Sequence, residues 1–414
     1  MGVGEMGAGE MSAGEMSAGE ELRDGWHRFC DDLKGAVDHV VDPERDVADA
    51  ERAEGVRHVL RMLSMQIEQV FENADPLHPE LGWRYPSKMG QDNPDGLYQT
   101  APMDLRYTYR LSGNIGSIRY LGFSVMTWTF GTAPIRQLIE LDGSDLLTDD
   151  QGDFEVVLSP DPAPDGTAVG AWYQLEPLTT RLLVRQFFAD WHTEVPADLH
   201  LECLDPLADI APARLEPTDV VARLGETVAM ASLMASYWTG FGEGHIDRGE
   251  INRFHNGLPG TDVDSLGGTS RQAYNQCMWR VGPNEALVLE FTPPECTYWE
   301  VQLGDRWYQS LDFVNRQVSL NDAQATVDDD GVVRVVISGS DPGVANWLDT
   351  GGVADGYLTV RYNQATTRAE LRLTLLPLAD LDAHLPSSTA RVDPAERATA
   401  WRASRRNALR RFRR

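Results

Sequence analysis

Lysine is almost missing from this chain: Lys34 and Lys88 are its only two in 414 residues, so nearly every positive charge is an arginine. Cysteine is scarce as well. Cys30, Cys203, Cys277 and Cys296 stand far apart, which argues against a disulfide framework and a cysteine-rich zinc site and fits reduced thiols in the cytoplasm. Apolar runs such as Leu287 to Phe291 have strand length, far below the roughly 20 residues of a membrane helix. The amino terminus has neither a basic segment nor an apolar one of signal-peptide type. A Gly-x-Ser-x-Gly elbow, a Walker phosphate loop and a Gly-x-Gly-x-x-Gly fingerprint are all absent, so standard hydrolase, NTPase and dinucleotide readings lose support.

Acid is in excess. The formal charge is −28, and the seven arginines of 402–414 leave the other 401 residues at −35. Such a body repels nucleic acid and anionic membranes. The length suggests more than one core, and 42% hydrophobic residues with 11 Trp and 12 Phe suffice to fill them.

Residues 1–20 form four pentads, opening at Met1, Met6, Met11 and Met16, any of which could be the true start. Their glycine and glutamate content reads as disordered. Residues 21–75 turn helical, with Val56, Val59, Leu60, Leu63, Ile67, Val70 and Phe71 in one stripe and Asp42-Pro43 separating an earlier helix. Residues 80–200 read as a β-rich module, with a helix expected near 177–191 behind Pro177. Thr218 opens another helix to about Trp238, and the Gly-rich stretch to 268 reads as a mobile connector. A second module over 269–380 shows strands at 286–292, 298–303, 332–338, 356–362 and 369–376 without interleaved helices. The fold expected is mainly β with flanking helices (α+β), the second module being an antiparallel jelly-roll-like sandwich. Residues 385–414 form a tail with a basic amphipathic end, where Trp401, Ala408, Leu409 and Phe412 fall near one face.

From Tyr298 to Asp349 the chain packs Trp, Tyr, Asp, Asn and Arg unusually densely. The strings Tyr298-Trp-Glu-Val-Gln-Leu303, Arg306-Trp-Tyr-Gln-Ser-Leu-Asp312, Asn315-Arg-Gln-Val-Ser-Leu-Asn321 and Asp341-Pro-Gly-Val-Ala-Asn-Trp-Leu-Asp-Thr350 resemble the family catalogued as domain of unknown function 1214. The resemblance covers about 285–380, and Asp92 to Tyr98 with the strands after it is similar to the N-terminal half of proteins carrying that module. It implies two modules and a jelly-roll-like second one, and no activity.

Two readings of this block stand side by side. As a pocket, Arg306 grips an anion, Trp307, Tyr308 or Trp347 stacks on a ring, and Asp312, Asn315, Asn321, Asn346 and Asp349 orient hydroxyls, with Asp312 or Asp349 as acid or base if there is catalysis. As scaffolding, the same carboxylates and amides satisfy loop backbone, and Arg306 pairs with Asp349. Asp92 and Asp95 are spaced for acid–base work, but Pro94-Asp95-Gly96 also spells a turn. His245, Asp247, Glu250 and His255 have the side chains for a divalent metal, but their spacing matches neither the two-histidine helical zinc motif nor the EF-hand calcium loop, and a mobile linker is the better reading. The expected ligand is a small polar or amphipathic organic molecule, with no cofactor and no nucleic acid. Membrane contact would come only through 401–414, and a homo-oligomer is compatible. The alternative is a non-catalytic assembly protein whose modules and basic tail are interfaces.

Overall fold

The computed structural model describes residues 17–45, 47–83, 88–128, 135–254 and 269–411. Helix α1 (Ala18–Val41) starts where Ser17 Oγ accepts from Glu20 N–H and the Glu20 carboxylate accepts from Ser17 N–H, a reciprocal cap. The last pentad is therefore a helix start, correcting the expected disorder at 17–20; residues 1–16 lie outside the described ones. Helix α2 (Asp49–Ile67) runs into a wider turn at Glu68–Glu72, and α3 spans Pro217–Asp247. Ala36, Val40, Val59, Met62, Met65, Ala231, Met234 and Ala235 close one core between the three.

The first module contains β1 (Gly82–Trp83), β2 (Gly96–Pro102), β3 (Tyr109–Asn114), β4 (Tyr120–Thr127), β5 (Arg136–Asp142), β6 (Asp153–Ser159), β7 (Trp172–Gln174), β8 (Arg181–Phe187) and β9 (Asp198–Cys203). Its sheets run β1-β2-β8-β4-β5 and β7-β6-β3-β9. Leu111, Phe123, Val156, Leu182 and Val184 meet between them. The second module contains β10 (Gln272–Arg280), β11 (Glu285–Phe291), β12 (Tyr298–Gly304), β13 (Ser319–Asn321), β14 (Val333–Ser338), β15 (Trp347–Asp349), β16 (Asp355–Asn363) and β17 (Arg372–Pro377). Its sheets run β10-β16-β12-β13 and β15-β14-β11-β17, around Trp279, Leu289, Val301, Val335 and Val360. A single turn α4 (Leu381–His384) leads to the tail helix α5 (Pro394–Arg411). The molecule is mainly β with a few helices, as its strand and turn patterns suggested.

The two modules share one topology. Every pairing among β2–β9 recurs among β10–β17 with both partners eight places later, including the single parallel pair of each module, β6–β7 and β14–β15. Those parallel pairs depart from the all-antiparallel expectation.

Two expected elements differ. The helix near 177–191 is the inner strand β8. Both its faces are buried, so Leu182, Leu183, Val184 and Phe187 form a continuous apolar run that mimics a helix. Conversely, the glycines of 240–244 lie inside α3 rather than in a connector. Gly242 faces the Tyr357 hydroxyl so closely that any Cβ would collide with it, so here glycine permits packing rather than motion. The last part of the connector, 255–268, falls outside the described residues.

Candidate functional site

The dense polar block is drawn apart by its partners. Arg306 clasps Asp355, with Nη2 donating at 2.5 Å, and Arg280 shares the same carboxylate at 3.2 Å. The expected Arg306–Asp349 pair does not form. Asp349 takes Arg316 at 2.7 Å and the Gly351 N–H at 2.7 Å instead. Trp307 is buried in the helical core and donates Nε1–H to the Glu51 carbonyl at 2.7 Å. Tyr308, at φ 59°, stacks on Trp238 with ring centres 5.0 Å apart and meets Tyr357 edge-on at 4.2 Å. Trp347 donates to Ser338 Oγ at 3.0 Å and lies under Trp401. These three rings are closed off by protein and present no open stacking surface.

The amides act as staples. Asn346 fastens the Thr326 backbone, accepting its N–H at 2.8 Å and donating to its carbonyl at 2.7 Å. Asn321 Nδ2 donates across the module boundary to Asp95 Oδ2 at 2.9 Å and to the Ala189 carbonyl at 3.1 Å. Asp92 receives the Ser310 N–H at 2.9 Å and its hydroxyl at 2.8 Å, and Asp95 receives Trp191 Nε1–H at 3.0 Å. Gly96 N–H closes the turn on the Asn93 carbonyl at 2.9 Å. Both carboxylates of Asp92 to Tyr98 thus bind one module to the other.

The candidate metal ligands do not converge. His245 Nδ1 meets Glu250, which Arg248 also holds at 3.0 and 3.1 Å. Asp247 is exposed on the helix end, and His255 lies outside the described residues. Among the described residues no group of three His, Cys, Asp or Glu side chains could hold a metal ion.

Arg306 and Trp307 line a small pocket of about 20 Å³, whereas Asp312 and Asn315 reach a large open cleft. It measures about 440 Å³ and lies between α2 and the loop 305–316. Arg57 and Arg61 enter from α2, Lys88 from the segment before β2, and Arg316 from the loop. Lys88 Nζ donates to the Ser310 and Leu311 carbonyls at 2.6 Å each and stands 4.8 Å over the Phe313 ring. Arg61 Nη1 donates to Gln309 Oε1 at 2.6 Å. Burial pulls both cations below their ordinary range, while Asp92 and Asp305 near Lys88 act the other way. Asp312 accepts from Asn315 Nδ2 at 2.8 Å at the rim. At the floor, burial pushes Asp305 up to about 7 against the donors Gln309 and Trp307 and the charge of Lys88. The lining is of mixed charge: Glu54, paired with Arg57 at 3.1 Å, and Asp305 and Asp312 stand among the four cations.

Arg57, Arg61 and Lys88 were not anticipated as a site. Two signals were nonetheless present: Arg57 and Arg61 fall four apart on one helix face, and Lys88 is one of two lysines. Across the loop a second cleft of about 320 Å³ runs between Phe313–Leu320 and α5.

No protein-family model matches the chain, and no curated protein matches it. Among solved structures, an uncharacterised protein from Burkholderia cenocepacia is 32% identical, over 88% of this chain and 99% of that one, with a TM-score of 0.81. The VPA0106 protein from Vibrio parahaemolyticus is 12% identical, over 82% of this chain and 100% of that one, with a TM-score of 0.44. The first match spans essentially the whole relative, and the chain belongs to the same family as that Burkholderia cenocepacia protein.

Proposed function

We propose that this chain binds a small, polar, anionic organic molecule in the cleft between α2 and the loop 305–316. One observation carries the reading: Arg57, Arg61, Lys88 and Arg316 come from three separate segments to one cleft, in a chain whose formal charge is −28. Arginine forks suit carboxylate and phosphate groups, and Asp312 and Asn315 at the rim suit hydroxyls. Membership of the domain-of-unknown-function 1214 group and a jelly-roll description of the second module belong to this proposal. They are supported by the Tyr298–Thr350 strings and by two four-stranded sheets around one core. A cytoplasmic setting is proposed with it, and no helix among the described residues is long and apolar enough to cross a membrane.

The test is native mass spectrometry of protein purified gently from its own host, followed by calorimetry with whatever anion co-purifies. Arg57→Ala and Arg316→Ala alter exposed side chains, and because Arg316 also pairs with the buried Asp349 a thermal melt of the double variant accompanies the titration. Together they should weaken binding roughly tenfold or more. Unchanged affinity in the double variant would remove the cleft from consideration.

A second reading, an assembly protein, rests on α5. Its Trp401 is turned onto Trp347, while Arg402, Arg405, Arg406 and Arg410 are exposed. Deleting 402–414 should then dissolve an oligomer or release an acidic partner while leaving anion binding untouched.

A further inference from the structure

The first module keeps an arginine where the second keeps a ring. Arg181 opens β8 between Pro102 of β2 and Met126 of β4, just before the fully buried Leu182. Tyr357 of β16 stands between Met278 of β10 and Gly304 of β12, just before the fully buried Leu358. Trp238 of α3, Met278 and Tyr308 pack Tyr357 shut. At the matching place in the first module lies a cleft of about 400 Å³, between the wide turn after α2, the sheet end and α3.

Arg181 lines this cleft and is half-buried. Among the described residues no carboxylate pairs with its guanidinium, whose only hydrogen bond is a long one, Nη1 to Thr100 Oγ1 at 3.4 Å. Desolvation draws Arg181 down to about 10, while Glu68 and Glu226 act the other way from beyond ion-pair distance. It is still fully charged at neutral pH. Arg223 enters from α3, its Nη1 donating to the Val70 and Phe71 carbonyls at 3.1 and 3.3 Å. Its Nε and Nη2 make no hydrogen bond among the described residues. Glu226 is the single carboxylate of the lining, and it is exposed, where water screens it.

Gln69 lines the same cleft at 4% exposure, and its Nε2 has no hydrogen-bond partner. It belongs to the wide turn, where Asn73 N–H reaches back five residues to the Glu68 carbonyl at 2.8 Å. Single turns of this kind are frequent at functional sites. A buried amide left unsatisfied is a cost that an apolar side chain would avoid. The rest of the wall includes Val70, Met103, Trp128 and Met230. Thioethers adapt their shape and make favourable contacts with flat rings.

We propose that this cleft binds a carboxylate with a flat apolar body, the carboxylate on Arg181 and Arg223 beside the Gln69 amide, and the ring among Met103, Trp128 and Met230. A guanidinium fork unclaimed by any carboxylate of the chain suits the planar head group, and the volume suits a two-ring body. This site is separate from the Lys88 cleft and does not depend on it.

Calorimetry of the full chain with sodium 2-naphthoate tests it, with neutral 2-naphthamide and sodium acetate as comparisons. One naphthoate should bind per chain, and each comparison at least about tenfold more weakly. Arg181→Met keeps an apolar stem and removes an unpaired charge, so the chain should melt no lower while naphthoate weakens about tenfold or more. Gln69→Leu removes an amide that the fold does not use, so it should melt as the parent does, with naphthoate about threefold weaker or more. That second variant decides the matter if Arg181→Met fails to fold. Absence of naphthoate binding to the parent chain would overturn the proposal, as would equal binding of the amide. So would affinity unchanged by Arg181→Met or by Gln69→Leu, or binding that disappears in Arg316→Ala and so belongs to the Lys88 cleft.

Discussion

The Trp307 ring lies so close to Gly55 that a methyl group on that glycine would come within 2.6 Å of the ring carbon Cζ2. Helix α2 and the second module approach each other at this point. Trp307 fixes the contact by donating Nε1–H to Glu51, one turn earlier on the same helix. Helix propensity alone gives Gly55→Ala about 1 kcal/mol of stabilisation. Overpacking a filled core costs about 1–3 kcal/mol. We expect the clash to win, since the ring is buried and held by its bond to the Glu51 carbonyl, and Gly55→Ala should lower the urea midpoint with an unchanged slope. A raised midpoint would mean that the helix can slide away from Trp307.

Asn321 was read from sequence as a ligand-binding residue, and in the fold it joins the modules. Its Nδ2 serves Asp95 and the Ala189 carbonyl, and its Oδ1 accepts from Ala323 and Gln324 N–H at 3.0 and 3.1 Å. Asn321→Ala strips buried partners on both sides, which predicts a loss of about 3 kcal/mol in denaturant unfolding. Asn321→Asp should be worse, because a carboxylate would face Asp95 and two carbonyl oxygens. Equal stability of the Asp and Ala variants would argue against that charge conflict.

How much of this was legible beforehand depends on where each residue's partner lies. The helical stripe at 56–71 and the alternation of 298–303 are local patterns, and both elements form where expected. Strand β8 misled because burial on both faces erases alternation. The three-residue strands β13 and β15 are too short to show any period. Within the candidate site, the density of Asn, Asp and Arg marked a polar network. Its wiring depended on contacts distant in sequence: Asp355 for Arg306, Asp95 for Asn321, Arg316 for Asp349. The repeat was equally hidden, since Leu97-Tyr98-Gln99 and Ala273-Tyr274-Asn275 share one residue, and only strand register equates them.

Two buried groups set opposite limits on pH. Desolvation lowers His58 from 6.5 to about 4. The unfolded chain therefore binds the proton first, and stability falls as pH drops from about 6.5 towards 4. Glu300 is raised from 4.5 to about 8, so the folded chain holds its proton longer, and stability falls as pH rises through that window. Glu300→Gln should flatten the alkaline side of a melting-temperature profile, and His58→Gln the acidic side. A profile unchanged by both would show that other groups govern the transition.

The tail makes the last prediction. Trp401 of α5 stacks on Trp347 at 5.9 Å, and Arg397 lies 5.1 Å over the same Trp347 ring while its Nε reaches Asp341 at 2.6 Å. An aromatic pair contributes about 0.5–1.5 kcal/mol beyond the area it buries, and the Arg397–Trp347 contact survives the loss of Trp401. Trp401→Ala should therefore destabilise the chain by about 2–4 kcal/mol, counting the lost apolar contact. The exposed Arg405 and Arg406, changed together to Ala, should leave stability within about 0.5 kcal/mol. If the tail served only as a basic arm for a partner, the order would reverse: Trp401→Ala would be silent in a melt, and the arginine pair would matter only in binding. A thermal melt of the two variants side by side therefore decides whether α5 is part of the folded body.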